Sequence, residues 1–353
     1  MNTKIYGTIG PACQNTDTLV RLFEKGMTGI RINLSHSNLR DAEDWIKNIH
    51  EAYRRHCKQK KMNASMPEAG GLELLMDLQG PELRIGKLSA PCLLCEEDGI
   101  TLVSEEQNNL SNSNQIPVPE LIIPYLVPGQ EVLLDDGKIL LQVEELVHVQ
   151  TGYMAECMVK RGGEIKSKKS IALPGAELYP PTLTKQDLEN IQDAKKYGIT
   201  GVMLPFVRNQ QDLKNLRQAL IGEKVENIQI FAKIENTDGV NQLSELLAEC
   251  DEIVIARGDL GNAMPLWELP VVQARIAKMC REAGKPFMVV TQMLASMEQA
   301  AVPTRAEVSD IFRAVSEGAT SVMLTGETAA GKYPIEAMEY MVHTVREAER
   351  WNL

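Results

Sequence analysis

The chain has 353 residues, 44% of them apolar, enough for one large buried core with a smaller module beside it. Its net charge of −11 repels nucleic acid and anionic membranes, so any cationic site has to be local and suited to a small anion. Seven cysteines, an odd set read as scattered without a CxxC pair or regular spacing, fit reduced thiols better than a disulfide frame. Met1 to Ile5 lead straight into strand-like sequence with no apolar signal segment, and no run of about 18 apolar residues follows, so a cytoplasmic protein is expected.

Short apolar runs alternate with amphipathic stretches of helical period, as in repeated βα units. The strand candidates are Ile5–Gly10, Gly29–Ser35, Leu72–Leu78, Gly201–Phe206, Ile228–Glu235, Glu252–Asp259, Pro286–Gln292 and Ser321–Glu327. Helix candidates with start and stop signals include Thr18 to Lys25 before Gly26, Thr184 to Tyr197 before Gly198, and Arg305 to Glu317 before Gly318. Eight such repeats predict an α/β TIM barrel. The alternation breaks between about residues 87 and 173, where prolines, short Val/Leu/Ile runs and the turn Asp135-Asp136-Gly137-Lys138 predict a small β-rich lid domain inserted after strand 3. The expected division is a barrel of residues 1–86 and 174–353 and a lid of residues 87–173.

Active sites of this fold lie at the carboxyl ends of the strands, and the candidate strand ends here carry Arg31, Asn33, Ser35, Asp77, Lys233, Glu235, Arg257, Asp259, Thr291, Thr325 and Glu327. Glu235 and Asp259 end neighbouring candidate strands and make a hard-cation site of the kind Mg2+ prefers, completed by substrate oxygens. Lys233 precedes Glu235 by two residues, so on a strand both side chains face the same way. A metal beside a lysine suits a substrate that is both carboxylate and phosphate.

Two motifs are weaker than they look. Gly326 to Lys332 satisfies GxxxxGK, but Tyr333 follows where a Walker loop needs a hydroxyl for Mg2+. The basic run from Arg54 to Lys61 ends a helical stretch of an acidic protein and reads as a solvated helix end.

The chain resembles the pyruvate kinase family over nearly its whole length. The resemblance rests on Thr8-Ile9-Gly10-Pro11-Ala12, Arg31-Ile32-Asn33-Leu34-Ser35-His36, Gly80-Pro81-Glu82-Leu83-Arg84, Ser167-Lys168-Lys169 and Leu173-Pro174-Gly175. It continues through Lys233-Ile234-Glu235-Asn236, the run from Ala256 to Gly261, Ala283-Gly284-Lys285-Pro286, Thr291-Gln292-Met293-Leu294, Pro303 to Glu307, and Gly326-Glu327-Thr328-Ala329.

That resemblance implies phosphoryl transfer from phosphoenolpyruvate to ADP, giving pyruvate and ATP in glycolysis, with Mg2+ (or Mn2+) and K+ as cofactors. It implies Glu235 and Asp259 as Mg2+ ligands, Lys233 against the transferring phosphoryl and the enolate oxygen, and Arg31 on the phosphate. Amides around Gly258 and Asp259 would cradle the carboxylate, with Thr291 near the carbon that receives the proton. Asn33, His36, Arg84 and Lys169 match nucleotide-phosphate positions. Asn33, Ser35, Asp77 and Leu78 match K+ ligands, and Glu82 accompanies K+ dependence. A homo-oligomer built through the barrel is also implied.

Several positions depart from the family. Leu78 replaces a threonine and leaves only its main-chain carbonyl for K+; Gln79 replaces a lysine; Pro205 replaces a small hydroxyl residue; Thr325 replaces serine. The sequence ends at Leu353, so the expectation is a barrel and lid lacking the family's carboxy-terminal effector domain. Two rival readings are a metal-dependent aldolase or lyase acting on pyruvate, against which the nucleotide-matching Arg84 and Lys169 weigh, and a non-catalytic phosphoenolpyruvate binder, against which Lys233, Glu235 and Asp259 weigh.

Overall fold

A computed structural model of the protein describes residues 3–35, 37–60, 71–81, 83–105, 114–135, 137–149, 152–176 and 180–351. His36, Lys61, Glu82 and Asp136 lie outside the described residues.

The strands in chain order are β1 Lys4–Thr8, β2 Gly29–Asn33, β3 Glu73–Asp77, β4 Cys92–Leu94, β5 Gly99–Ser104, β6 Gln115–Val118, β7 Glu131–Leu134 and β8 Ile139–Val149. They continue with β9 Gly152–Arg161, β10 Gly163–Ile165, β11 Ile171–Ala172, β12 Gly201–Leu204, β13 Gln229–Ile234, β14 Glu252–Ala256, β15 Phe287–Val290 and β16 Ser321–Leu324. The helices are α1 Thr16–Lys25, α2 Glu43–Gln59, α3 Lys185–Tyr197, α4 Gln210–Gly222, α5 Thr237–Asn241, α6 Leu243–Leu246, α7 Arg257–Asn262, α8 Leu269–Glu282, α9 Arg305–Ser316, α10 Gly326–Ala329 and α11 Pro334–Trp351.

Two compact units form, one of residues 1–80 and 182–353, the other of residues 81–181. The first is the predicted TIM barrel, a closed parallel ring in the order β1-β16-β15-β14-β13-β12-β3-β2. Strands of such a ring are buried on both faces, which is why they read as continuous apolar runs. One set of side chains packs outward against the helices, from Ile5, Ile30, Leu74, Val202, Ile230, Ile253, Val289 and Val322. The alternate set fills the ring with Tyr6, Leu75, Met203, Phe231, Val254, Met288 and Met323. Gly29 makes room for this filling, since a Cβ there would stand 2.5 Å from the Tyr6 ring.

The helices begin where side chains satisfy their free N–H groups. Asn15 accepts from Thr18 N, and Thr184–Asp187 and Thr304–Glu307 form capping boxes. α1 and α3 close on Gly26 and Gly198, both at positive φ. The predicted strands overrun their observed ends by one to three residues because the chain turns off the ladder where the polar residues begin. Phe206, Thr291 and Gln292 have φ of +52°, +69° and +54°, and helices start at Arg257 and Gly326.

The second unit is β-rich. A six-stranded sheet runs β11-β7-β8-β9-β5-β6, and β10 pairs with β4. Its own core gathers Ile85, Leu102, Leu126, Leu141 and Val159. Leu134 pairs with Ile139 across an antiparallel hairpin whose turn has Asp135 and Gly137 at positive φ.

All seven cysteines are free. The expectation of no CxxC pair is corrected by Cys92-Leu93-Leu94-Cys95, which has that spacing. Cys92 opens β4, Cys95 lies just beyond its end at Leu94, and both thiols are free. Among the described residues no helix is long and apolar enough to cross a membrane.

Candidate active site

Asp77, at the end of β3, is 1% exposed and organises the carboxyl end of the barrel. Arg31, from β2, donates to Asp77 Oδ2 through Nε at 2.8 Å and Nη2 at 2.6 Å, and its Nη1 reaches Thr8 Oγ1 at 3.3 Å. Lys233, near the end of β13, stands 3.3 Å from both Asp77 oxygens and 3.0 Å from Glu235 Oε1. The other Glu235 oxygen accepts the Phe206 N–H at 2.8 Å, an amide aimed there by the left-handed backbone of that residue. Two cations and two carboxylates are thus interleaved in a nearly dry space.

The electrostatics follow from this packing. Burial alone would raise the Asp77 carboxyl, but Lys233 and Arg31 outweigh it and hold Asp77 below the usual carboxylate range. Burial disfavours the Lys233 ammonium, yet Asp77 and Glu235 carry its pKa above the ordinary value. Glu235 goes the other way: burial, helped by Asp259 and Asp77, pushes its carboxyl up to about 7 against the opposing pull of Lys233 and the Phe206 N–H. A carboxylate under that pressure beside a second one, Asp259, is a fitting place for a divalent cation. Among the described residues no group of three or more His, Cys, Asp or Glu comes together as a metal cage.

A second cluster lies at the ends of β14, β15 and β16. Arg257 Nη2 donates to Thr291 O at 2.7 Å and its Nη1 pairs with Asp310, fixing the start of α7. Thr291 Oγ1 accepts from Gly258 N at 2.8 Å and donates to Val290 O at 2.6 Å. Buried Glu327 accepts from Leu294 N at 2.9 Å and Thr325 N at 2.7 Å, tying the β15 and β16 ends together. Thr291 and Gly258 are therefore one hydrogen-bonded unit, and a carboxylate using the Gly258 amide has to displace a hydroxyl.

The sequence matches the family model of the pyruvate kinase barrel domain over residues 1–338. The chain belongs to the pyruvate kinase family. It is 38% identical to a pyruvate kinase of Geobacillus stearothermophilus over 341 residues, 96% of this chain and 55% of that protein. It is 34% identical to a pyruvate kinase of Bacillus licheniformis, with 98% of this chain and 57% of that protein covered. A third, from Chlamydia muridarum (strain MoPn / Nigg), is 34% identical over 99% of this chain and 69% of its own length. The chain spans little more than half the length of the first two curated relatives.

The residues expected from the sequence to serve K+ have these surroundings. Asn33 accepts from Ser35 N at 3.2 Å, the Asp77 carbonyl accepts from Leu34 N at 2.9 Å, and the Leu78 side chain is buried in the helix-facing core. The Gln79 main-chain N–H donates to Asp187 Oδ1 at 2.8 Å, and its side-chain oxygen accepts from Thr184 Oγ1 at 3.3 Å. Pro205 packs where a Cβ on Gly80, at φ +64°, would come within 2.4 Å of its ring.

In the second unit Lys169 pairs with Asp135 at 2.7 Å, and Lys138 takes the other Asp135 oxygen at 3.0 Å. Burial raises the Asp135 carboxyl, but hydrogen bonds from both lysines outweigh it and hold it low. Arg84 Nη1 donates to Lys168 O at 2.8 Å, and Ile85 N to Lys169 O at 2.8 Å, which fixes the two nucleotide-matching segments side by side.

The GxxxxGK segment is no phosphate loop. The Gly331 amide donates to Gly326 O and the Lys332 amide to Glu298 O, both at 2.9 Å, so both amides are already used by backbone carbonyls. The sequence reading also missed Asp187, which is fully buried and accepts from Gln79 N, Gly80 N and Thr184 N. The Thr184-x-x-Asp187 spacing was the available signal for its cap; nothing local showed that it also holds the turn after β3.

Proposed function

We propose that the protein transfers the phosphoryl group of phosphoenolpyruvate to ADP and protonates the resulting enolate to pyruvate. The observation that carries this reading is the dry quartet of Arg31, Asp77, Lys233 and Glu235, in which both cations are held by shared carboxylates. Phosphoryl transfer asks a protein mainly to position the groups and to neutralise charge moving onto phosphoryl and leaving oxygens. Arg31 would grip the phosphoryl group, and Lys233, kept protonated by Asp77 and Glu235, would face the transferring phosphoryl and the enolate oxygen. Asp77 preorganises both. Thr291 and the amides of Gly258 and Asp259 would hold the carboxylate end, with Thr291 beside the carbon to be protonated.

Glu235 and Asp259 are the residues to hold Mg2+ or Mn2+, which when bound supplies charge neutralisation at the substrate oxygens. K+ would draw on Asn33, Ser35, Asp77 and, at Leu78, the main-chain carbonyl alone. Asn33, His36, Arg84 and Lys169 would contact the nucleotide phosphates. Within the second unit, Lys169 would exchange Asp135 for phosphate, a trade between anions that keeps the lysine charged.

The test is phosphoenolpyruvate- and ADP-dependent pyruvate formation with Mg2+, with and without K+, by the purified chain and by Lys233→Met. Turnover falling roughly 10²–10³-fold or more in the variant supports the assignment. Binding of phosphoenolpyruvate without any turnover by the folded wild type would contradict it.

A further inference from the structure

Of the cations expected at the strand ends, Arg31 and Lys233 serve the proposed reaction and Arg257 does not. Arg257 opens α7 directly after β14, and its side chain is only 10% exposed. All three guanidinium nitrogens are engaged: Nε donates to Val290 O at 3.4 Å, Nη2 to Thr291 O at 2.7 Å, and Nη1 to Asp310. Asp310 thus ties the guanidinium to α9, while its other nitrogens grip the two carbonyls where β15 ends.

Those carbonyls belong to strained backbone. Thr291 and Gln292 both take left-handed φ, +69° and +54°, which a β-branched residue such as threonine adopts only where its surroundings hold it there. Beyond them, the Leu294 N–H is pinned on buried Glu327. The Thr291 hydroxyl is itself committed, accepting from Gly258 N at 2.8 Å and giving its one proton to Val290 O at 2.6 Å. To serve a substrate it has to turn away from both, which withdraws the side-chain bonds that help to keep the left-handed turn. The turn then depends on Arg257, because Val290 O keeps the Nε donor and Thr291 O keeps the Nη2 donor.

We infer that Arg257, tethered by Asp310, is a positioning residue that holds the Thr291 backbone in place while the Thr291 hydroxyl leaves Gly258 and Val290 for the substrate. The inference rests on the reaction proposed above and adds how its carboxylate end is prepared. Arg257 needs no contact with substrate or metal; its charge is answered by Asp310, and it acts through Thr291. A lysine in its place keeps the charge beside Asp310 but lacks the planar fork that reaches two carbonyls at once. A displacement of about 1 Å at a reacting centre is enough to cost roughly 10²-fold in rate.

The experiment is a double-mutant cycle on kcat for pyruvate formation from phosphoenolpyruvate and ADP with Mg2+ and K+. It uses the wild type, Arg257→Lys and Asp310→Asn, each with and without Thr291→Ala, all checked for folding by circular dichroism. A fall of about tenfold or more in Arg257→Lys and a smaller one in Asp310→Asn are expected, with neither lowering Thr291→Ala by more than about twofold. A general structural role would give the same loss in both backgrounds. The Asp310 side chain is 31% exposed, so Asp310→Asn keeps the test open should Arg257→Lys fold poorly. With an active wild type, unchanged kcat in both single variants, or equal losses with and without the Thr291 hydroxyl, would overturn the inference and leave the proposed reaction standing. A folded wild type that binds phosphoenolpyruvate without turnover would overturn both.

Discussion

The two ends of one barrel are built from the same strands and solve opposite electrostatic problems. At the carboxyl end, Arg31 and Lys233 interleave with Asp77 and Glu235, and each of the four charges has an opposite neighbour within 3.3 Å. At the amino end, Lys4 is matched to Glu73, while Glu252 is left with hydroxyl partners and a carboxyl pushed up to about 7. The apolar layer of Tyr6, Leu75, Met203, Phe231, Val254, Met288 and Met323 keeps the two sets apart. A matched set is preorganised to stabilise charge that moves during a reaction. An unmatched carboxylate instead stores a demand for a proton or a cation. In the reading proposed above, the matched end serves the reaction, while the unmatched end leaves a carboxyl whose charge answers to pH.

The comparison breaks most sharply at Asp77. Asp77→Ala leaves Arg31 and Lys233 facing each other with their shared counter-charge gone, and removing one partner of a buried ion pair typically costs about 3–5 kcal/mol. Urea denaturation of Asp77→Ala should show a loss of that order, together with loss of turnover. An unchanged midpoint would mean that the pairing is not formed.

Asp187→Ala comes next. It removes three N–H partners and the cap of α3, so a loss of about 2–4 kcal/mol is expected by the same measurement. Thr184→Ala, which removes only the hydroxyl arm of the capping box, should cost about 1 kcal/mol. Equal effects would place Asp187's role in the cap alone.

Glu252→Gln probes the other end. Its folded-state carboxyl titrates near 7, above the ordinary value, so between the two the native chain holds more protons than the unfolded one and stability falls as pH rises. The wild type should lose up to about 3 kcal/mol from this group between pH 4.5 and 8, and Glu252→Gln should lack that component. A variant with the wild-type slope would show that Glu252 does not carry it. The smallest effect belongs to the helix-end charges. Arg55 pairs with Glu51 and Asp17 at the surface, and Arg55→Ala should leave the denaturation midpoint and turnover where they were.

These expectations also mark what the sequence could reveal. Eight strands were legible because a parallel barrel strand is apolar on both faces, and the polar residues after each run marked the carboxyl end of the ring, where the proposed site lies. The precise stopping points were not, because Phe206, Thr291 and Gln292 leave the ladder through left-handed backbone that their residue types do not announce. Nor were the partnerships: Lys233 meets Asp77 across 156 positions, and Tyr6 meets Glu73 across 67. The carboxylates at the amino end were hidden for the same reason. Glu73 and Glu252 begin strands, where a charged residue ordinarily reads as a solvated edge, and only ring closure brings them toward Tyr6 and Ser321.

The most direct test of the division of labour is a side-by-side assay of pyruvate formation from phosphoenolpyruvate and ADP by the wild type, Lys233→Met and Glu252→Gln at pH 7.5. Loss of roughly 10²–10³-fold or more in Lys233→Met with Glu252→Gln within about twofold of wild type is the predicted outcome. A Glu252→Gln loss as large as that of Lys233→Met, or full turnover in Lys233→Met, would contradict it.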